Sequence, residues 1–184
     1  MKIALLGTGS GQVHAAVYSQ RPDVDEVVVF CRTPEKLAEF GEQFGLATTT
    51  DPDALVADPT VDLVDICLPT RLHAEVAVQA MRAGRDVLIE LPLAPTIADA
   101  RRIVAAQRAT GRRAFVDMFF RFTHAHQQLR HVVGDRRYGP LQGANGKALS
   151  PELDTHQGPE EDFPGVSRAG SDCAGGYATR RGWS

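Results

Sequence analysis

Gly7 and Gly9 close the short apolar run Lys2 to Leu6, and a helical pattern follows through Val13, Ala16 and Val17. Glycines between a strand and a helix suit a pyrophosphate. Without side chains the backbone amides and the helix N-terminus come close to the anion. Thr8, Ser10 and Gly11 complete that turn. The pattern G-x-G-x-x-G is not met in full, because Gln12 holds the third glycine position and Gly11 comes one residue early. An ordinary glycine turn is the other reading. The strand–turn–helix context favours dinucleotide binding.

The end of the second strand bears on which dinucleotide. A site for NAD commonly places a carboxylate there to take the ribose 2′-hydroxyl. This chain has Cys31-Arg32-Thr33 and no acid. A guanidinium presents a fork of donors matched to a phosphate, Thr33 adds a hydroxyl, and Lys36 follows one turn later. NADP is therefore expected ahead of NAD, unless Arg32 is merely solvated.

His73 stands in the first turn of a helix, where it is either a structural hydrogen-bonder or a functional group. Asp117 and Met118 end the sixth strand. They either border the nicotinamide or, for Met118, fill the core. His124 and His126 fall at a polar helix start and are expected to be solvated.

These residues need a scaffold, and the periodicities supply one. Strands are expected at Lys2 to Leu6, Val27 to Cys31, Ala47 to Thr49, Asp62 to Leu68, Asp86 to Ile89 and Arg113 to Met118. Helices fall between them. One starts at Thr33-Pro34, carries Leu37, Phe40 and Phe44 on one face and stops at Gly45. A short acidic helix covers Asp51 to Ala57, and another runs from Pro69-Thr70 to Ala83-Gly84. The next is capped by Thr96 and Asp99, with Ile97, Ala100, Ile103 and Val104 along one side and Gly111 at its end. Such alternation implies an α/β protein: a Rossmann-type, doubly wound, mostly parallel sheet covered on both faces. Ligands of such sheets bind beyond the carboxyl ends of the strands, where Arg32, Pro69, Thr70 and Glu90 cluster with the glycines.

The composition excludes several classes. A formal charge of −3 gives no basis for a nucleic-acid or anionic-membrane partner. No apolar run approaches the roughly 20 residues of a membrane span, and no signal-peptide layout is present. Three scattered cysteines, Cys31, Cys67 and Cys173, suit neither a disulfide framework nor a metal cage. No metal is expected, and the location is expected to be cytoplasmic.

Four segments in order, Gly7-Thr8-Gly9, Asp65-Ile66-Cys67-Leu68-Pro69-Thr70-x-x-His73, Val87-Leu88-Ile89-Glu90-x-Pro92-Leu93-Ala94 and Met118-x-x-Arg121-Phe122, carry a resemblance from residue 1 to about residue 141. The chain resembles the glucose–fructose oxidoreductase/inositol dehydrogenase (Gfo/Idh/MocA) family. That resemblance implies an NAD(P)-dependent oxidoreductase of sugars, cyclitols or nucleotide-linked sugars, with a second α/β domain on a large open sheet. It implies that Thr8, Gly9 and Ser10 hold the pyrophosphate, and Arg32 and Thr33 the adenosine ribose. Leu68, Pro69, Thr70 and His73 would line the nicotinamide side, and Glu90 matches the glutamate of the family's Glu-Lys-Pro motif. Glu90 and His73 are thus the candidate catalytic residues. Leu91 replaces the motif lysine, which is thought to bind the reacting oxygen and assist proton transfer. Leucine can supply neither proton nor charge.

The expected organisation is a dinucleotide-binding domain over 1–119, the start of a second domain over 120–141 with a helix from Ala125 to Val133, and an irregular tail over 142–184. From Gly139 onward the only branched aliphatic residues are Leu141, Leu149, Leu153 and Val166, against nine of the chain's 17 glycines. That is too little apolar surface to offset ordering entropy. The tail is expected to be a frameshifted or truncated continuation; the rival is a short protein whose tail folds on a partner. The family's remaining catalytic Asp and His lie beyond the resemblance, and His156 is not set in such a motif. Two functions follow: hydride transfer between NADP(H) and a sugar or cyclitol, or a non-catalytic dinucleotide-binding fragment or decayed enzyme. A third expectation is a homo-oligomer, or association through the face that the second domain would cover.

Overall fold

The computed structural model of the chain describes residues 1–135 and 139–140. It divides into two units, Met1–Phe120 and Arg121–Ser184.

The first unit holds six parallel strands: β1 (Lys2–Leu6), β2 (Glu26–Phe30), β3 (Ala47–Thr49), β4 (Leu63–Ile66), β5 (Asp86–Ile89) and β6 (Ala114–Val116). Their order is β3-β2-β1-β4-β5-β6. The chain winds outward from β1 to β3, returns to β4 beside β1, and winds out the other way. The order therefore reverses between β1 and β4. This is the doubly wound Rossmann arrangement that the periodicities imply.

Alternation along the strands divides the core in two. Ile3 and Leu5 of β1, with Val27 and Val29 of β2, face α1 (Gly11–Tyr18) and α2 (Pro34–Phe44), which contribute Ala15, Leu37 and Phe40. Ala4, Leu6, Val64, Ile66, Val87 and Ile89 face the other way. They pack on α3 (Pro52–Ala57), α4 (His73–Arg82) and α5 (Ile97–Thr110). Capping fixes several helix ends. Asp51 accepts from the Ala54 amide, Thr96 accepts from the Asp99 amide, and Gly45 and Gly111 end α2 and α5 in the left-handed region.

Three expectations change. The β4 and β6 ladders are shorter than their apolar runs, and β2 begins and ends one residue earlier. On α5 the buried residues are Ile103 and Ala106, whereas Ile97 is 73% exposed and Val104 is also exposed. Ile97 and Val104 are seven apart and share one side of the helix, centred about 140° round from Ile103 and Ala106, so that side faces away from the core. Met118 is exposed rather than core-filling. A single 3-10 turn, Phe119–Phe122, follows β6.

The second unit contributes α6 (His124–Gly134), on which Leu129, Val132 and Val133 are exposed. His126 Nδ1 lies 2.8 Å from the Thr123 hydroxyl. The tail over 142–184 lies outside the described residues, as do Cys173 and His156.

Candidate functional site

The register of the sheet lines up the first residue beyond each strand. Gly7 donates its amide to Phe30 O at 2.9 Å, Cys67 to Leu6 O at 2.9 Å, Glu90 to Ile66 O at 3.1 Å and Asp117 to Ile89 O at 2.9 Å. Gly7, Cys67, Glu90 and Asp117 thus form one row at the carboxyl edge of the sheet, crossing the point where the strand order reverses.

The three glycines do three different jobs. Gly7 has φ of +107°, and a Cβ there would stand 2.3 Å from Cys67 O, so the turn tolerates no side chain. A Cβ on Gly11 would meet Leu5 Cδ1 at 3.3 Å, because α1 begins there, tight against β1. Gly9 differs: nothing lies within 4 Å of its added Cβ. Gly11 therefore does the packing work of the third glycine, one residue early. Gln12 is exposed on the helix and takes no part in that contact.

Beside this turn, the Thr8 hydroxyl reaches Cys31 Sγ at 3.5 Å. Arg32 and Thr33 are exposed past β2. Thr33 occupies the N-cap position of α2 without a side-chain cap bond, so its hydroxyl is not used by the helix.

Past β4, Leu68 and Pro69 lead into a 3-10 turn at Thr70–Leu72. His73 opens α4 and is 1% exposed. Its Nε2 lies 2.7 Å from Leu68 O and its Nδ1 lies 3.0 Å from Pro92 O. Both nitrogens thus face backbone carbonyls on two different loops. Of the two roles open from sequence, this is the geometry of a brace. Past β5, the Glu90 carboxyl accepts its neighbour Leu91's amide at 2.7 Å. The Leu91 side chain is exposed.

Two residues that the sequence singles out, Glu90 and Asp117, meet at a histidine that its motifs do not mark. His14, on the first helix, points its Nδ1 at Asp65 Oδ2, 2.7 Å away. Its Nε2 lies 3.3 Å from Asp117 Oδ2 and 3.7 Å from Glu90 Oε1. Asp65 is completely buried on β4 and also accepts the Tyr18 hydroxyl at 2.6 Å. Cys67 Sγ completes the group, 3.6 Å from both Asp65 Oδ1 and His14 Nδ1. The hydrogen bond that His14 donates to Asp65, with the nearby charges of Asp65, Asp117 and Glu90, holds the His14 pKa above its ordinary value against desolvation. Burial pushes the Tyr18 phenol and the Cys67 thiol up, and the negative Asp65 adds to both. The sequence did carry a signal. Leu63, Asp65 and Cys67 share one face of a buried strand, and an acid there needs a partner. His14 and Tyr18, at i and i+4, are the helix residues able to supply it.

Residues 1–118 match the model of an oxidoreductase family with an NAD-binding Rossmann fold, Gfo/Idh/MocA. The chain belongs to this family. Across 152 residues it is 31% identical to D-glucoside 3-dehydrogenase of Escherichia coli, covering 81% of this chain and 43% of that protein. Biliverdin reductase of Synechocystis, solved with biliverdin and NADP+, superposes with a TM-score of 0.66 at 29% identity, over 72% of this chain and 42% of that one. Levoglucosan dehydrogenase, solved with NADH and levoglucosan, gives a TM-score of 0.68 at 27% identity, over 74% and 40%. The chain thus spans about two fifths of the length of the relatives it matches. Among the described residues, no helix is long and apolar enough to cross a membrane.

Proposed function

We propose that this chain is the cofactor-holding part of an NAD(P)-dependent oxidoreductase acting on a sugar or cyclitol hydroxyl or ketone. The observation that carries this reading is the open face of Gly9. Gly7 and Gly11 are glycines because protein fills the space where a side chain would go; Gly9 is a glycine beside empty space. A glycine facing outward at the start of a helix, at the reversal of strand order, is what close approach of a pyrophosphate requires.

The residues fit such a group. Gly7, Thr8, Gly9, Ser10 and Gly11 would hold the pyrophosphate. Arg32 and Thr33 would hold the adenosine ribose, and the exposed guanidinium with no acid beside it favours a 2′-phosphate, hence NADP over NAD. Leu68, Pro69, Thr70 and Glu90 would line the nicotinamide half. His73 would act there as a positioning residue, since it ties the Leu68 loop to the Pro92 loop. When bound, the nicotinamide supplies the hydride chemistry. A sugar-like substrate is supported by the names of the E. coli and levoglucosan relatives.

A second reading, a dinucleotide-binding module without turnover, is favoured by Leu91. Where the resemblance places a lysine, this chain presents an exposed apolar side chain. A positioned acid–base group contributes on the order of 10²–10⁴ in rate. Assaying sugars and cyclitols with NADP(H), for the wild type and for Leu91→Lys, separates the two. Turnover by the wild type supports the enzyme, and turnover only by the variant supports the module.

We also place the protein in the cytoplasm, where thiols such as those of Cys31 and Cys67 stay free. Self-association is supported by the exposed Phe115, Met118, Phe119 and Phe120 at the β6 edge. Sedimentation that stays monomeric at all concentrations would count against it.

A further inference from the structure

We propose that the acidic cluster around His14 makes the cofactor site favour the oxidised, positively charged nicotinamide over the reduced, neutral one. This rests on the dinucleotide reading above.

Asp65, Glu90 and Asp117 belong to β4 and to the first positions past β5 and β6. That is the second mononucleotide half of a doubly wound sheet, the half left for the nicotinamide once the adenosine end is at β2. Three carboxyl groups meet there on one imidazole. Among the described residues, His14 is the sole ion-pair partner recorded for each of them. The other groups facing His14 are Tyr18 on its own helix and Cys67 past β4. Burial pushes the pKa of each up, so both stay neutral. The formal balance is therefore negative even with His14 protonated, and more negative when it is not.

Both forms of the cofactor carry the same phosphates, and they differ by one positive charge on the nicotinamide ring. The repulsion of the phosphates by the cluster is common to both and cancels in the ratio of affinities. The ring charge does not cancel. At the effective dielectric of a partly buried site, an excess of negative charge nearby is enough for a preference on the order of ten-fold. His14 sets how strong that preference is. Its loss of a proton deepens the negative field, so the preference should rise as pH passes upward through its raised pKa.

The test is calorimetric titration of the full chain with NADP+ and with NADPH, in parallel with NAD+ and NADH. The wild type should bind the oxidised form several-fold more tightly, and Asp117→Asn should bring the ratio down towards unity. His14→Gln, which removes the cation, should raise the ratio. Thermal melting of each variant checks that it is folded, and Asp117→Asn decides the matter if His14→Gln is not. A purely structural role for Asp117 would weaken both forms alike. A ratio unchanged within about two-fold in Asp117→Asn, or a wild type preferring the reduced form, overturns this inference and leaves the dinucleotide reading standing. Failure of all four nucleotides to bind overturns that reading and this inference with it.

Discussion

His14 Nδ1 and Asp65 Oδ2 stand 2.7 Å apart, joining the first helix to the middle of the sheet at a carboxyl group with no solvent exposure. Parallel sheets bury both faces of their central strands, so an acid on β4 has only neighbouring side chains to satisfy it. Tyr18, one turn along the helix, supplies the second donor. The position of α1 over the sheet is thereby fixed by polar contacts as well as by Ala15 and Gly11.

Tyr18→Phe removes one of the two donors at Asp65 Oδ2 and leaves His14 as the other, so the chain should lose about 1.5–3 kcal/mol, the worth of a hydrogen bond to a charged group. Urea denaturation of the two proteins measures it. An unchanged midpoint would show that the bond contributes nothing.

The histidine adds a pH dependence whose sign is fixed. Its folded pKa is raised, chiefly by the bond to Asp65. The stabilisation is therefore fully present below the unfolded value of about 6.5 and is lost as pH rises through the folded value. The stability gap between wild type and His14→Gln should be widest below about pH 6.5 and narrow as pH rises above it. A gap that widens with pH contradicts the assignment.

The glycines give a prediction in which two neighbouring positions behave oppositely. Gly7→Ala puts a methyl group on a positive φ and against Cys67 O, so it should fail to fold or melt far below the wild type. Gly9→Ala meets nothing in the protein and should melt within a few degrees of wild type. It should nonetheless lose at least ten-fold in dinucleotide affinity, because its methyl group would enter the space given to the pyrophosphate.

How much of this was legible from sequence follows from the same residues. Strand positions and helix caps could be read because apolar runs, Gly45, Gly111 and the Thr96–Asp99 pair are local signals, whereas the order β3-β2-β1-β4-β5-β6 is not local. The glycine turn was legible too, although not the transfer of the third glycine's work to Gly11, which depends on where α1 meets Leu5. The His14 cluster was not read. It joins residues from an early helix, three strand ends and positions up to 103 apart, and only the register of the sheet puts Glu90 and Asp117 in one row. The exposure of Ile97 and Val104 was missed because a helical stripe does not say which part of its width the sheet covers.

His73 should be more important to stability than to chemistry. His73→Ala removes the ring that stands between Leu68 O and Pro92 O and takes the N–H donor from at least one of them, at a cost of about 1–3 kcal/mol. Dinucleotide affinity should fall as the two loops loosen. A variant as stable as wild type would rule out the brace.

Arg32 carries the choice of nucleotide. Arg32→Ala should lower NADPH affinity by about 10- to 100-fold, the worth of a charge-assisted contact of roughly 1.5–3 kcal/mol, while leaving NADH affinity nearly unchanged. Equal losses for both would make Arg32 a general contact and leave the preference for NADP without support.

Every functional prediction for this chain depends on its holding a nicotinamide dinucleotide. Titration with NADPH and NADH, followed by the cofactor's own fluorescence, tests it directly. Saturable binding of both, tighter for NADPH, is the expected result. Absence of saturable binding by either would contradict it.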